Sequence, residues 1–246
     1  MLKATSDILY VRAALKPLAR EMKQAGGVVP LLREIGEFGE LMVPHFYGAR
    51  PFWRPRPAAG AMPATNSGAL GKLVAAQPGA VVSSHPTHAF AGFGPRVVEV
   101  LQEHDGTRPC FYPVGELADR HDCSMLLLGC VDESPGFSTV HVSQQRLGLT
   151  RKHLLRLLLR WDESRAGQVT SRTAVELPGC SRSFDKFYEH YEADGNLVRG
   201  NLAGVPYLWI PSARRAIAVE TALLSRSGRF VECGRLTCLS CRLRWY

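Results

Sequence analysis

The sequence predicts an α/β fold, and three observations support this. Short apolar runs of strand length alternate along the chain with segments in which apolar residues recur at helical spacing. One run, residues 125–128, is continuously apolar and is followed by glycine, which is typical of a strand buried on both faces of a sheet. The chain has 246 residues, of which 46% are hydrophobic and 21% charged, so it can bury a large core. We therefore expect one large α/β domain over residues 1–246.

The first half of the chain alternates between strand and helix patterns. A strand is predicted over residues 8–15, and a helical apolar face follows it and ends at Gly36. The further predictions are strands at 41–43 and 80–82 and helices at 68–76 and 97–103, the last of which has Pro95 near its first turn.

The second half continues the alternation. After the strand at 125–128, a loop leads into a helix that Ser138 or Thr139 could cap. Further strands are predicted at 169–176 and 205–210, and helices at 183–191 and 212–224. His141 falls in the first turn of the helix after residues 125–128, near the strand ends where α/β sheets bind ligands.

Residues 48–65 contain three arginines and four prolines with little periodicity, which predicts a long loop. Long loops inside compact domains are usually functional or mobile. This loop could form a lid over a substrate or a surface loop stiffened by its prolines, and the sequence leaves both interpretations open.

The charge and hydropathy of the chain narrow the function classes. The net charge of +8 suits an anionic ligand or a soluble basic surface. Because the basic residues are scattered and accompany no helix-turn-helix or aromatic RNA-binding pattern, we expect no nucleic-acid partner. No apolar run approaches the roughly 18 residues of a membrane span, and charges interrupt the first thirty residues. We expect a soluble cytoplasmic protein without membrane contact, in an oligomeric state that the sequence leaves open.

Residues 83–95 predict a loop that presents side chains. Two histidines flank Pro-Thr just after the strand at 80–82, and histidine exchanges protons near neutral pH. We expect this loop to join the strand to the helix at 97–103, which would place both imidazoles near the positive end of a helix dipole. The candidate residues of this histidine loop are Ser83, His85, Thr87 and His88.

The histidine loop is the third of five segments that occur in a characteristic order along most of the chain. The other four are residues 7–15, 36–46, 125–144 and 178–187. In this order they resemble the antibiotic N-acetyltransferase family, whose best-known members are the aminoglycoside 3-N-acetyltransferases. One such segment would be a weak signal, whereas five in order are specific.

The resemblance implies a three-layer α/β fold with a mixed central sheet. It also implies transfer of an acetyl group from acetyl-CoA to a small amine, for which the 3-amino group of an aminoglycoside antibiotic is the candidate acceptor. The protein would then be an acyltransferase of antibiotic resistance. Coenzyme A carries several phosphate charges, and the basic chain suits such a cosubstrate.

The resemblance also implies roles for individual residues. The family has a histidine in a Thr-x-x-His segment, and His141 takes this place as the general base. The hydroxyl of Thr139 or Ser138 is a candidate donor to the oxyanion. The family commonly has an acidic residue three positions after the histidine, where this chain has Gln144. The charge could then come from Glu176, Asp185 or Asp132, and we expect Glu176, which precedes a Pro-Gly-Cys segment. The histidine loop is expected to form a wall of the acyl-CoA site.

Two further positions depart from the family pattern. Ala89 stands where the family has serine, and Arg12 begins a segment where His-Ser-Ser is usual. Each departure removes a polar group that could contact cosubstrate or acceptor. A homologue that binds acyl-CoA without catalysis is therefore the alternative function.

The C-terminal residues 231–246 form a cysteine-rich tail. Seven cysteines in a chain expected to be cytoplasmic argue against a disulfide framework. The last two cysteines have the two-residue spacing of a zinc knuckle, and two others could complete a four-thiolate site. The candidate ligands of a structural zinc ion are Cys180, Cys233, Cys238 and Cys241.

Overall fold

A seven-stranded sheet forms the centre of the molecule. The computed structural model describes residues 7–55, 67–132, 134–165 and 168–245. The strands of the large sheet occur in the order β4-β5-β2-β1-β6-β10-β9, and β3, β7 and β8 form a separate sheet. The strands are β1 (Ile8–Ala13), β2 (Glu40–Pro44), β3 (Arg50–Pro51), β4 (Val81–Val82), β5 (Phe90–Phe93), β6 (Ser124–Leu128), β7 (Leu159–Arg165), β8 (Gln168–Thr173), β9 (Val198–Leu202) and β10 (Val205–Ile210).

The large sheet is mixed. Its central strand β1 runs parallel to β2 and β6, so the carboxyl ends of these three strands meet at one edge. The outer strands reverse direction, because β5 is antiparallel to β2 and β4, and β10 is antiparallel to β6 and β9. The loops that follow β1 and β6 therefore emerge side by side at this edge.

Helices cover both faces of the sheet. They are α1 (Ala19–Gln24), α2 (Val28–Arg33), α3 (Gly68–Ala75), α4 (Pro95–Gln102), α5 (Tyr112–Arg120), α6 (Thr139–Arg146), α7 (Tyr188–Ala193), α8 (Ala213–Arg226) and α9 (Leu239–Arg242). Tyr10 and Leu127 lie in one apolar cluster with α4, α5, α6 and α8, whereas Leu9 and Leu126 lie in a second cluster with α2 and α3. Successive strand residues thus serve opposite layers, as the pleat requires.

The predicted α/β class and mixed sheet are confirmed, and several element bounds are corrected. The predicted strand at 169–176 ends at Thr173 and pairs with β7 in the small sheet. The predicted helix at 183–191 begins as a 3-10 turn, Phe184–Phe187, and continues as α7. The first strand ends at Ala13.

The prediction of an unbroken loop over residues 48–65 is wrong at its start. Arg50 and Pro51 form β3, which pairs with β7. The Arg50 guanidinium binds the Asp162 carboxylate and donates to Ser171 Oγ at 2.7 Å, which ties this segment to the small sheet. Residues 56–65 of the predicted loop lie outside the described residues.

Within the described residues, none of the helices has the length and apolar content needed to cross a membrane.

Candidate active site

His141 lies in the first turn of α6, which follows the loop at the carboxyl end of β6. Its imidazole is held between two phenylalanine rings, stacked on Phe111 at 4.6 Å between centroids and edge-on to Phe184 at 4.9 Å. The residue is 9% exposed. The ring is thus fixed in a largely apolar setting with a small opening to solvent.

Gln144 is the hydrogen-bond partner of Nδ1 of this imidazole. His141 Nδ1 and Gln144 Oε1 are 3.1 Å apart, one helical turn away from each other on α6. Because an amide oxygen can only accept, this geometry assigns the proton to Nδ1 and leaves a lone pair on Nε2. Among the described residues, His141 Nε2 has no hydrogen-bond partner. It is therefore the ring nitrogen that can accept a proton from a bound molecule.

The environment keeps this imidazole neutral. Burial lowers the pKa of His141 to about 3, the hydrogen bond to Gln144 acts in the opposite direction, and the charges of Arg12 and Arg244 lower the pKa further. The base form is thus fully populated at neutral pH, whereas formation of the imidazolium is costly.

The histidine loop joins two strands, β4 and β5, which corrects the predicted connection to a helix. Phe90–Phe93, which lies within the predicted loop of residues 83–95, is β5; it pairs with β2 and separates residues 83–89 from α4. His85 and His88 are therefore separated from the N-terminus of α4 by a whole strand, and the expected helix-dipole effect does not apply to them.

Two of the candidate residues in the histidine loop serve its own shape. His85 is fully buried, and its Nδ1 accepts hydrogen bonds from the backbone N–H groups of Thr87 and His88, at 3.2 and 3.0 Å. Ser83 Oγ accepts from the Phe90 amide at 3.0 Å and lies 3.0 Å from His104 Nδ1. Burial lowers the pKa of His85 to about 4.

Of the other two candidates, His88 lies near His141, and Thr87 contacts His88. Thr87 Oγ1 is 2.9 Å from His88 Nδ1. The His88 ring lies 5.5 Å from that of Phe111, on which His141 stacks. Burial, reinforced by the neighbouring imidazoles of His85, His141 and His104, holds the pKa of His88 well below its usual value. The structure thus brings His88 and His141 together across one phenylalanine.

Thr139 and Ser138 direct their hydroxyls into the protein interior. Thr139 Oγ1 donates to Glu220 Oε1 at 2.5 Å, and Ser138 Oγ is 2.9 Å from the Tyr10 hydroxyl. Neither side chain caps α6, although Ser138 stands at the cap position, which corrects the predicted cap. Both side chains anchor the start of the helix that carries His141.

Glu220, on α8, is a functional candidate that the sequence analysis missed. Its carboxyl group is fully buried and also accepts from Ser143 Oγ at 2.7 Å and from the Tyr191 hydroxyl at 2.5 Å. Burial raises the pKa of Glu220 to about 8, against the effect of the three hydroxyl donors. The available signal was a carboxylate within the apolar stripe of α8, between Ile217 and Leu224.

Glu176 does not reach His141, which corrects its expected role as the orienting carboxylate. Its Oε2 accepts from Thr150 Oγ1 at 2.9 Å, and its Oε1 accepts from the backbone N–H of Cys110. Gln144 already occupies the Nδ1 side of the imidazole. Glu176 instead anchors the residue before Phe111, the ring on which His141 stacks.

The departures at Arg12 and Ala89 have structural consequences. Arg12 Nη1 donates to the carbonyl of Gly136 at 2.8 Å, and Nη2 donates to Ser134 Oγ at 2.5 Å, which ties the end of β1 to the loop before α6. Ala89 is fully buried at the end of the histidine loop. The chain thus uses a guanidinium to shape the loop that presents His141.

The four cysteines selected from the sequence come together. The sulfur atoms of Cys180, Cys233, Cys238 and Cys241 all lie within 4.8 Å of one another. The cluster brings the cysteine-rich tail against the loop after β8.

Comparison with known proteins identifies the class of this protein. The family described as aminoglycoside 3-N-acetyltransferase matches residues 11–225. The chain therefore belongs to the aminoglycoside 3-N-acetyltransferase family, a family of acyl-CoA-dependent acetyltransferases. The resemblance seen in the sequence is confirmed. Among curated protein sequences, none is significantly similar to the chain.

Solved structures of acetyltransferases share the fold at low identity. The apoenzyme of aminoglycoside acetyltransferase AAC(3)-IVa is 18% identical, with 98% of this chain and 91% of that chain covered and a TM-score of 0.73. A histidine-to-alanine mutant of that enzyme in complex with a gentamicin has 18% identity, 98% and 92% coverage and a TM-score of 0.71. AAC-IIIb in a binary complex with CoASH has 15% identity, covers 91% of each chain and has a TM-score of 0.63.

Proposed function

We propose that this enzyme transfers an acetyl group directly from acetyl-CoA to an amino group of an aminoglycoside, with His141 as the general base. The observation that carries the proposal is the environment of His141, whose Nδ1 faces Gln144 while Nε2 has no partner among the described residues. The complexes of fold relatives with CoASH and with a gentamicin support the two substrate classes.

In the proposed reaction, the lone pair of the acceptor amine attacks the thioester carbonyl. His141 Nε2 takes the proton that the nitrogen loses, the carbon–sulfur bond breaks, and the departing CoA thiolate receives that proton. The products are an N-acetyl amine and free coenzyme A. A base with a pKa of about 3 is poorly matched to a free alkylammonium ion. The proton transfer therefore belongs after attack, when the nitrogen of the tetrahedral intermediate has become far more acidic.

Gln144 orients the imidazole but cannot neutralise it. A carboxylate at this position would stabilise the imidazolium that forms in the reaction, whereas the amide only fixes the ring. The Gln144 Nε2 group is buried and has no hydrogen-bond partner among the described residues. A carboxylate at this position would leave no unpaired donor. Gln144 thus has the shape of a glutamate but lacks its charge.

Thr139 acts in this proposal by holding α6 rather than by donating to the oxyanion. Its hydroxyl is already committed to Glu220. An oxyanion donor must point at the reacting carbon, and one hydrogen cannot serve two acceptors well. The hydroxyls of Thr139, Ser143 and Tyr191 would together fix the register of α6, and thereby the position of His141.

For the acyl-CoA wall, we retain the histidine loop with its roles divided. His88, whose ring lies beside Phe111 and so near His141, would contact the acyl-pantetheine end of the cosubstrate. Ser83, His85 and Thr87 would support it from the interior, since all three are buried and hydrogen-bonded within the loop region.

The test is release of free coenzyme A from acetyl-CoA in the presence of aminoglycosides and of simple alkylamines. The wild-type protein should release coenzyme A with at least one aminoglycoside and form the acetylated product seen by mass spectrometry. His141→Ala should lose this activity, whereas the matched control His121→Ala, at the far end of α5, should keep it. Acetyl-CoA binding without release across the whole amine panel would favour the non-catalytic alternative and overturn the proposal.

A further inference from the structure

The four-cysteine cluster joins three separate parts of the chain. Cys180 lies in the loop after β8, Cys233 follows a 3-10 turn at Gly228–Val231, and Cys238 and Cys241 lie at the start of α9 and within it. The acyl-transfer reaction proposed above makes no use of these thiols. Their convergence therefore needs an explanation of its own.

The spacing of the sulfur atoms fits tetrahedral metal coordination. Cys233 Sγ and Cys241 Sγ are 3.7 Å apart. A disulfide would require about 2.05 Å. Four sulfurs at about 2.3 Å from a central zinc ion lie about 3.8 Å from one another, the edge of a regular tetrahedron. The cluster as a whole, within 4.8 Å, is close to this size.

The backbone around the cysteines is arranged as in metal knuckles. The amide of Arg182 donates to Cys180 Sγ at 3.4 Å, two residues further along the chain. The amides of Cys241 and Arg242 both donate to the Cys238 carbonyl at 3.0 Å and close a tight turn between the last two cysteines. Gly234, directly after Cys233, has a φ of 69°, a conformation that favours glycine. The Arg182 N–H group would stabilise the Cys180 thiolate and orient it toward a shared ion, whereas the turn at Cys238 brings the last two cysteines close together.

The surrounding charge also suits an anionic centre. A cavity of about 530 Å³ beside the cluster is lined by Cys241, by one carboxylate, Glu232, and by the four arginines Arg229, Arg235, Arg242 and Arg244. Four thiolates around one zinc ion form a dianion. Guanidinium groups next to such a centre offset its negative charge and stabilise the thiolate form of its ligands.

We propose that Cys180, Cys233, Cys238 and Cys241 bind one zinc ion. The site is structural, because four protein thiolates leave no open coordination position for a substrate or water. Its formation releases the thiol protons and couples metal binding to the folding of the tail.

The zinc ion would fix the segment that brings Arg244 toward the active site. Leu154 donates its amide to the Leu243 carbonyl at 2.8 Å, and His153 Nε2 lies 3.0 Å from the Ser240 carbonyl. The Arg244 guanidinium packs directly against Gly179. A side chain at residue 179 would not fit, because its Cβ would lie 1.9 Å from Arg244 Nη2. Arg244 is also one of the two charges that act on His141. The metal would thus hold the tail against Gly179, His153 and Leu154.

Metal analysis of the freshly purified, reduced full-length protein tests the proposal. We expect about one equivalent of zinc per chain. Cys238→Ser and Cys241→Ser should each reduce zinc to well under half an equivalent, whereas the control Cys130→Ser, a thiol outside the cluster, should keep it. Protein refolded with cobalt should show the intense thiolate-to-cobalt charge-transfer absorption of a four-thiolate site.

A second measurement uses only the native protein, in case the cysteine variants fail to fold. Titration with an organomercurial should release one zinc ion, detected with a colorimetric chelator, as four thiols react. Chelation of the metal should also speed tryptic cleavage after Arg235 and Arg242. Folded protein that holds less than about half an equivalent of zinc after refolding with the metal would overturn the proposal. Unchanged zinc in Cys241→Ser would do the same.

Discussion

Two histidine-bearing regions of this protein use the same side chain differently. In the histidine loop, His85 is fully buried, and its Nδ1 accepts hydrogen bonds from two backbone N–H groups. On α6, His141 Nδ1 is hydrogen-bonded to the Gln144 side chain, and Nε2 has no partner among the described residues. The loop is the more conspicuous motif in the sequence, yet its polar atoms are largely consumed in holding its own shape.

The difference shows how a histidine's role follows from its second nitrogen. Both imidazoles are kept neutral by burial, with pKa values of about 4 for His85 and about 3 for His141. Neutrality therefore does not distinguish a structural histidine from a base. His85 Nε2 also lacks a hydrogen-bond partner among the described residues, but it is buried. The distinguishing feature is access, because His85 is fully buried whereas His141 is 9% exposed. The predictions below separate the two regions by what each variant loses.

The largest expected effect is on turnover in His141→Ala. Removing a positioned general base should lower kcat by about 10²–10⁴-fold, with a far smaller change in the melting temperature. The measurement is steady-state release of coenzyme A, with folded protein confirmed by near-ultraviolet circular dichroism. Turnover within threefold of wild type would show that the base lies elsewhere.

His85→Ala should have the opposite profile. It leaves the Thr87 and His88 amides without an acceptor in the interior. The expected loss of unfolding free energy is roughly 2–6 kcal/mol, since each of the two orphaned donors costs about 1–3 kcal/mol. Turnover of the folded fraction should fall by less than about tenfold, well below the range expected for a base. Denaturant unfolding measures the first quantity. A variant as stable as wild type but inactive would assign His85 to the chemistry instead.

Acidification should destabilise the protein through its buried histidines. Burial lowers the folded pKa of His85 to about 4 and of His104 to about 3, against about 6.5 in the unfolded chain. Between these values the unfolded state binds more protons, so stability falls as the pH drops, by up to about 1.4 kcal/mol per pH unit for each group. Glu220, with its pKa raised to about 8, acts in the opposite direction above about pH 4.5.

The contribution of one histidine can be isolated by comparing slopes. Unfolding free energy measured at pH 7 and at pH 5 should fall less steeply in His85→Gln than in wild type. Identical slopes in the two proteins would mean that His85 is not held neutral by the fold.

The smallest expected effect is a displaced pH profile in Gln144→Glu. The wild-type rate should show no titration of His141 between pH 5 and 8, because its pKa is about 3. A carboxylate beside Nδ1 raises that pKa, so the acidic limb of the profile should move toward neutral pH, with equal or higher kcat at pH 8. The measurement is kcat against pH for both proteins. An unshifted limb would place residue 144 away from the base in the working enzyme.

The fold was predictable where local pattern and burial agree. The continuous apolar run at 125–128 became β6, next to the central strand β1, and Val205–Ile210 became β10 beside it. Short strands were harder to predict: Phe90–Phe93 reads as part of the histidine loop because only its pairing with β2 makes it a strand. That pairing depends on residues about fifty positions apart, which local periodicity does not report.

The sequence predicted which residues form the site, but it predicted only part of the contacts between them. His141 and the four clustered cysteines could be selected from motif and spacing, and the structure places the cysteines together. The partner of Thr139 could not, because Glu220 lies 81 residues away and meets it only through helix packing. Glu176 failed for the same reason: its contacts at Cys110 and Thr150 are set by the path of the chain after β8.

Imidazole rescue tests the division between the two histidine regions most directly. In His141→Ala, the space left by the ring lies between Phe111 and Phe184 and matches free imidazole in size and shape. Added imidazole should restore part of the coenzyme A release in this variant and should leave His85→Ala unchanged. Rescue of His85→Ala, or no response in a folded and substrate-binding His141→Ala, would contradict the assignment of His141 as the base.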